Sequence, residues 1–223
     1  MLGLSARDAS AQLGVSARRV GQMIAHGQLD ADRVGNQWVI DPASLPVRPL
    51  RRGRPLAPRA AQALLLHQDP GAAPWLRADE AYRLRTKVRP LLDDPNALEC
   101  VRSWLSARAD VERLSSPDPA ALLADARVVP GGVSDPRAGL SAASEAEVYV
   151  RHGDRQALIA DHLLVPASRN GSNVTLRVSR LRVPRPAPLL AVAVDLADHG
   201  GPREYLRAGD LFDQWIDQMR GCR

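Results

Sequence analysis

No stretch of this 223-residue sequence is apolar for long enough to cross a bilayer. The run Leu189–Val194 falls far short of the roughly 20 residues that a spanning helix needs. The N-terminus has no basic start followed by an apolar stretch. The expectation is a protein with no membrane partner, held in the cytoplasm. Cysteine is equally scarce. Cys100 and Cys222 stand far apart, in no CxxC pair and no Cys/His cluster, so neither a disulfide framework nor a zinc site is indicated. A glycine-rich phosphate loop, HExxH, GxSxG and the kinase set are missing as well. His152-Gly-Asp154 and Asp161-His162 carry metal-binding residue types, but His162 falls at helical spacing from Leu158, the usual place of a packed or surface histidine. No catalytic residue, cofactor or metal is therefore expected, and the chain reads as a non-enzyme.

Lysine is all but missing: Lys87 is the only one among 30 basic residues. In a chain this rich in Ala, Arg, Pro and Gly, arginine abundance reflects coding bias, so the position of the charge says more than its amount. Residues 1–59 hold nine arginines against four acids, whereas the other 164 residues hold 21 basic against 21 acidic, so the first quarter carries the whole formal charge of +5. Arg48, Arg51, Arg52, Arg54 and Arg59 follow the last acid of that segment and form a cationic arm with no counter-charge before Asp69.

What is present begins with Ser5-Ala-Arg-Asp8, a capping signal that starts a helix, with Ala9 and Leu13 on its inner face. Gly14-Val-Ser16 then supplies a corner, an anchor and a second cap. A second helix is predicted from Ser16 to about His26, with Val20, Met23 and Ile24 as its apolar stripe and Gly27 as its end. Two short helices joined by a tight glycine-containing turn make a helix-turn-helix, whose second helix lies in the major groove. Asp32–Asp41 reads as a hairpin with a Gly-Asn turn and alternating Val34, Trp38 and Ile40, with Trp38 in the core of a wing.

Leu13-Gly-Val-Ser16, Val20, Ile24, His26-Gly27 and Arg33-Val-Gly-Asn-Gln-Trp-Val-Ile40 together resemble the MerR and excisionase type of winged helix-turn-helix, over about 45 residues. The resemblance implies that the second helix reads base edges and the wing holds the backbone. It nominates Ser16, Arg18, Arg19 and Gln22 on the helix, and Arg33, Asn36 and Gln37 on the wing. Their chemistry suits the task. Arginine bonds guanine bidentately, glutamine bonds adenine, and a hydroxyl at a helix N-terminus can hold a phosphate. Arg51-Arg-Gly-Arg-Pro55 is similar to an AT-hook, which would lay Arg51, Arg52 and Arg54 along a narrow minor groove.

Beyond Leu56 the pattern predicts helices over 58–68, 77–92, 95–114 and 119–128, with Asn96 as a cap and Leu98, Val101, Trp104 and Leu105 in a core. Strands follow at Glu147–Arg151 and Val174–Val178, with a helix over Arg155–Leu164 between them. A last helix, from about Pro202 to Arg220, places Leu211, Phe212, Trp215, Ile216 and Met219 on a core face. The expected class is α+β and mainly helical: a winged helix-turn-helix with a basic arm (1–56), a helical domain (57–130) and a mixed α/β C-terminal domain (131–223). Segments such as Ala57–Leu66, Glu147–Arg151, Asn173–Val178 and Leu190–Leu196 resemble actinobacterial antitoxins of the AbiEi type. That resemblance implies a DNA-binding autorepressor paired with a toxin protein. The expected partners are double-stranded DNA, a cognate toxin and a second copy of the chain. An excisionase-like architectural protein and a toxin-neutralising interaction module are the alternatives.

Overall fold

The computed structural model describes residues 3–13, 15–25, 29–35, 37–45, 54–67, 69–140, 144–168, 171–181 and 183–221. The fold is mixed α/β, about 54% helical and 17% strand. Residues 4–45 form a small unit: β1 (Leu4–Ser5), α1 (Ala6–Leu13), α2 (Ala17–Ala25), β2 (Ala31–Val34) and β3 (Gln37–Ile40). Its antiparallel sheet has the order β1-β3-β2. Both expected caps are made. The Asp8 amide donates to Ser5 Oγ at 3.2 Å, and the Arg19 amide donates to Ser16 Oγ at 3.3 Å. Ala9, Leu13, Val20, Met23, Leu29 and Ile40 are all nearly inaccessible and make one core, with Val15 and Ile24 packed at its edge. The helix pair and the hairpin are thereby clamped together.

The larger part begins with α3 (Pro58–Leu66), α4 (Ala78–Val88) and α5 (Ala97–Trp104). Next come β4 (Asp110–Ser115), α6 (Pro119–Leu123), β5 (Val128–Pro130) and β6 (Ala146–Arg151). The chain closes with α7 (Arg155–Asp161), β7 (Val165–Pro166), β8 (Val174–Ser179), α8 (Leu189–His199) and α9 (Pro202–Gly221). Five strands make one sheet of order β5-β6-β8-β4-β7, in which only β6 and β8 run parallel. Two helical expectations are corrected. The helix predicted over 95–114 ends at Trp104 and residues 110–115 are a strand, while the helix predicted over 119–128 stops at Leu123 and residue 128 opens another strand. The cause is tertiary: β4 is fixed by pairing along β8, from Asp110 opposite Val178 to Leu114 opposite Val174, and this outweighs local helix preference. The sheet thus draws strands from both sides of residue 130.

Alternate residues of the two central strands face opposite ways. Ala146, Val148 and Val150 of β6 and Val174, Leu176 and Val178 of β8 point into an apolar core that also holds Leu122 and Leu158. The other face carries Glu147, Tyr149 and Arg177, and it is buried too, beneath α8. Leu190–Ala197 of α8 are all buried, as expected of a helix that is hydrophobic on every side. The single charge in that stretch, Asp195, is completely inaccessible. It accepts from the Tyr149 hydroxyl at 2.8 Å, pairs with Arg177 Nε at 3.0 Å and is bonded by Arg108 Nη2. Arg108 also reaches Asp198 at 2.9 Å, and Arg177 holds Glu147 through Nε at 3.0 Å. Beyond this network, α9 packs Leu211, Phe212, Trp215 and Ile216 into the helical core, the face its spacing predicts.

Two consequences follow for stability. Gly132 has φ of 45°, and a methyl group built on it would overlap the Glu147 carboxylate. Gly132→Ala therefore combines the left-handed backbone cost of about 1–2 kcal/mol with displacement of a buried charge. Urea unfolding is expected to show a loss of at least about 2 kcal/mol; an unchanged midpoint would contradict the placement of Glu147. Burial pushes the Glu147 carboxyl above the ordinary glutamate range, against the opposing pull of Arg177. A carboxyl raised in the folded state binds its proton more tightly folded than unfolded. Its contribution to stability is therefore lost as pH rises from the unfolded value, about 4.3, toward the raised one. Glu147→Gln lacks that titration, so the stability advantage of wild type over the variant should narrow as pH rises through that window. An advantage that widens there would reverse the sign of the shift.

Candidate nucleic-acid interface

Helix α2 is short and sharply divided. Val20 and Met23 are buried, while Ser16, Ala17, Arg18, Arg19 and Gln22 are exposed. The division follows from spacing: residues 18, 19 and 22 lie off the stripe that docks on α1 and β3, so their side chains face water. Arg19 Nη1 lies 3.5 Å from Gln22 Oε1, which joins two of the nominated residues on one turn. Ser16 closes the helix N-terminus, where the unpaired amides and the helix dipole favour a negative group.

The hairpin pairs Val34 with Gln37, and Gly35, directly after Val34, has a positive φ of 59°, the left-handed backbone that tight hairpin turns favour. Arg33 stands opposite Trp38, and its guanidinium sits 5.9 Å from the centre of the indole ring. Here the expectation for Trp38 is corrected: it is 37% exposed and absent from the core that buries Ile40, two residues further along the same strand face. The core extends only to the base of the hairpin. Val34, at the tip, is 63% exposed. Arg33 and Gln37 are exposed beside them.

The helix set (Ser16, Arg18, Arg19, Gln22) and the hairpin set (Arg33, Gln37) belong to one packed unit. Asn36, Arg51 and Arg52 lie outside the described residues. Arg54 is exposed, on a segment without regular structure just before α3. Arg59, counted in the arm, is instead on α3, 4.0 Å from Glu80.

Charge pairing separates this unit from the rest. Arg7, Arg18, Arg19, Arg33 and Arg54 make no ion pair among the described residues, whereas most arginines after residue 56 are matched to an acid, several of them bidentately or in buried clusters. Residues 4–45 hold four arginines against four aspartates, so what marks this unit is that its arginines stand apart from its acids, not a surplus of charge. The buried cluster of Arg108, Glu147, Tyr149, Arg177 and Asp195 was not anticipated from the sequence. A signal did exist: Glu147, Arg177 and Asp195 each interrupt an otherwise apolar run. Among the described residues no group of three or more His, Cys, Asp or Glu is placed to hold a metal ion, and no helix is long and apolar enough to cross a membrane. His162 pairs with Asp125 at 2.9 Å, and Asp125 is also held by Arg127.

No family model, curated protein or solved structure matches this chain.

Ser16 offers a separable test of cap and contact. Ser16→Ala removes the acceptor for the Arg19 amide and should destabilise the 4–45 unit by about 1 kcal/mol. Ser16→Asp restores the cap, so its unfolding midpoint should return to wild type or above. If both variants unfold alike, Ser16 does not cap α2.

Proposed function

We propose that the chain is a sequence-specific regulator that binds double-stranded DNA through a winged helix-turn-helix in residues 4–45, with α2 in the major groove. The observation that carries the proposal is the first turn and a half of α2. It turns the Ser16 hydroxyl and two cations, Arg18 and Arg19, neither of them ion-paired among the described residues, toward solvent while its opposite side is locked into the core. That arrangement supplies donors for base edges on a rigid element. Arg33, Gln37 and, by the sequence, Asn36 would hold the flanking backbone, and the arm with Arg51, Arg52 and Arg54 would extend the footprint. One small module buries only about 600–1,000 Å² on DNA, so tight binding calls for the arm or a second copy.

The test is a binding titration of the full chain against the DNA upstream of its own gene, repeated across a salt series. Nanomolar to sub-micromolar affinity that falls steeply with salt is expected, since each released counterion steepens the slope. Binding that ignores salt, or none at low salt, would refute the proposal. The narrower reading, an autorepressing antitoxin, is supported by the resemblance of segments between residues 57 and 196 to AbiEi-type proteins. It requires that the protein co-purify with the product of the adjacent gene.

A further inference from the structure

A cavity of about 260 Å³ opens between α3, residues 107–109 with the first residue of β4, the end of β8 and the start of α8. Ala61, Leu65, Val178, Val183 and Ala191 supply apolar walls, and two large side chains on its lining, Leu66 and Leu181, are each left 37% exposed. The polar lining includes two buried groups, Arg108 and Tyr149. We propose that this cavity is a binding site for a small, uncharged, largely apolar molecule that carries one hydrogen-bond-accepting oxygen, such as an aryl or branched alkyl ketone, ester or amide.

The oxygen follows from counting donors. The Tyr149 hydroxyl is fully engaged, donating to Asp195 at 2.8 Å and accepting from Arg108 Nε at 3.1 Å. A guanidinium has five N–H groups. In Arg108, Nε–H goes to Tyr149, one Nη1–H goes to the Leu105 carbonyl at 3.1 Å, and the Nη2 pair goes to Asp195 and Asp198. One Nη1–H has no acceptor among the described residues. A nearly inaccessible donor of a charged group is costly to leave unmade, and an acceptor oxygen bound in the cavity would satisfy it. The absence of charge follows from the pairing and the lining: Asp195 and Asp198 already neutralise Arg108, and the other two charged residues on the lining, Asp110 and Arg180, are of opposite sign. The size follows from the volume, just under the 300–1,000 Å³ or so that holds drug-sized ligands. The inference is independent of the DNA-binding proposal.

The test uses alanine-methyl NMR of the full chain titrated with acetophenone, ethylbenzene and benzoate. Acetophenone should shift the Ala61 and Ala191 methyl signals saturably. Ethylbenzene, which lacks the oxygen, should bind at least about fivefold more weakly, as one lost hydrogen bond of about 1 kcal/mol implies. Benzoate should bind no better than acetophenone. Ala107→Trp places a large ring in the cavity lining from an exposed position and should abolish the shifts while leaving the fold's other signals in place. Acetophenone that moves neither methyl, or that binds the Ala107→Trp protein equally well, overturns the site. Ethylbenzene binding as tightly as acetophenone, or benzoate binding more tightly, overturns the assigned chemistry.

Discussion

Asp195→Ala should cost about 3–5 kcal/mol of folding stability, the range for removing one partner of a buried charge cluster. Asp195 is completely inaccessible, and its Oδ1 is the meeting point of Arg108, Tyr149 and Arg177. Without it, two guanidiniums remain buried between α8 and the central strands, one countercharge short. Arg108 keeps Asp198 and Arg177 keeps Glu147, which is why the loss should stop short of the full cost of two unpaired ions. Against a total stability of about 5–15 kcal/mol, that loss removes between about a fifth and the whole of the margin. The measurement is chemical denaturation, where the midpoint falls and the slope stays constant if the folded state is otherwise retained. Asp195→Asn should lie between the two, because an amide oxygen can still accept from Tyr149 but brings no countercharge. A loss below about 1 kcal/mol for the alanine variant would mean that water reaches the cluster.

The same cluster shows where sequence reading succeeds and where it fails. Period-two alternation in Glu147-Val-Tyr-Val-Arg151 correctly marks a strand, but it suggests one wet face. The wet-looking face is instead covered by α8, and its polar groups are matched against one another. Alternation reports which residues share a face and not whether that face meets water. The partners lie 18 to 87 residues apart in sequence, so no local pattern could join them. For β4 the failure is of another kind, since a strand specified by its neighbour in the sheet has little signature of its own.

The N-terminal unit was more readable because its determinants are local. Both serine caps act on amides three residues away, the stripe of α2 repeats at three residues, and the Gly35 turn needs only its own backbone. Trp38 is the exception, and an instructive one. Its strand position places it on the same face as Ile40, yet the core beneath that face ends before Trp38 is reached. How far a core extends is a property of packing, which a pattern of residue types does not contain.

Arg18→Ala should lower affinity for the preferred DNA sequence by about 1–3 kcal/mol, roughly five- to 150-fold, and scarcely alter affinity for unrelated DNA. On the proposed mode of binding Arg18 lies on the groove-facing edge of α2, clear of the core and without an acid partner among the described residues, so its guanidinium can bond a guanine edge. Arg33→Ala should behave differently. Arg33 lies against Trp38 on the hairpin, where a phosphate is its natural partner, so its loss should weaken preferred and unrelated sequences alike and reduce the salt slope by about one. The two variants thus separate reading from holding. Folding is not a confounding factor, because neither side chain contributes to the core of the 4–45 unit, and both proteins should unfold within about 0.5 kcal/mol of wild type. The informative quantity is the ratio of preferred to unrelated affinity at one fixed salt concentration. It should collapse for Arg18→Ala and hold for Arg33→Ala. Equal losses on every sequence for both variants would place α2 against the backbone and leave the groove unread.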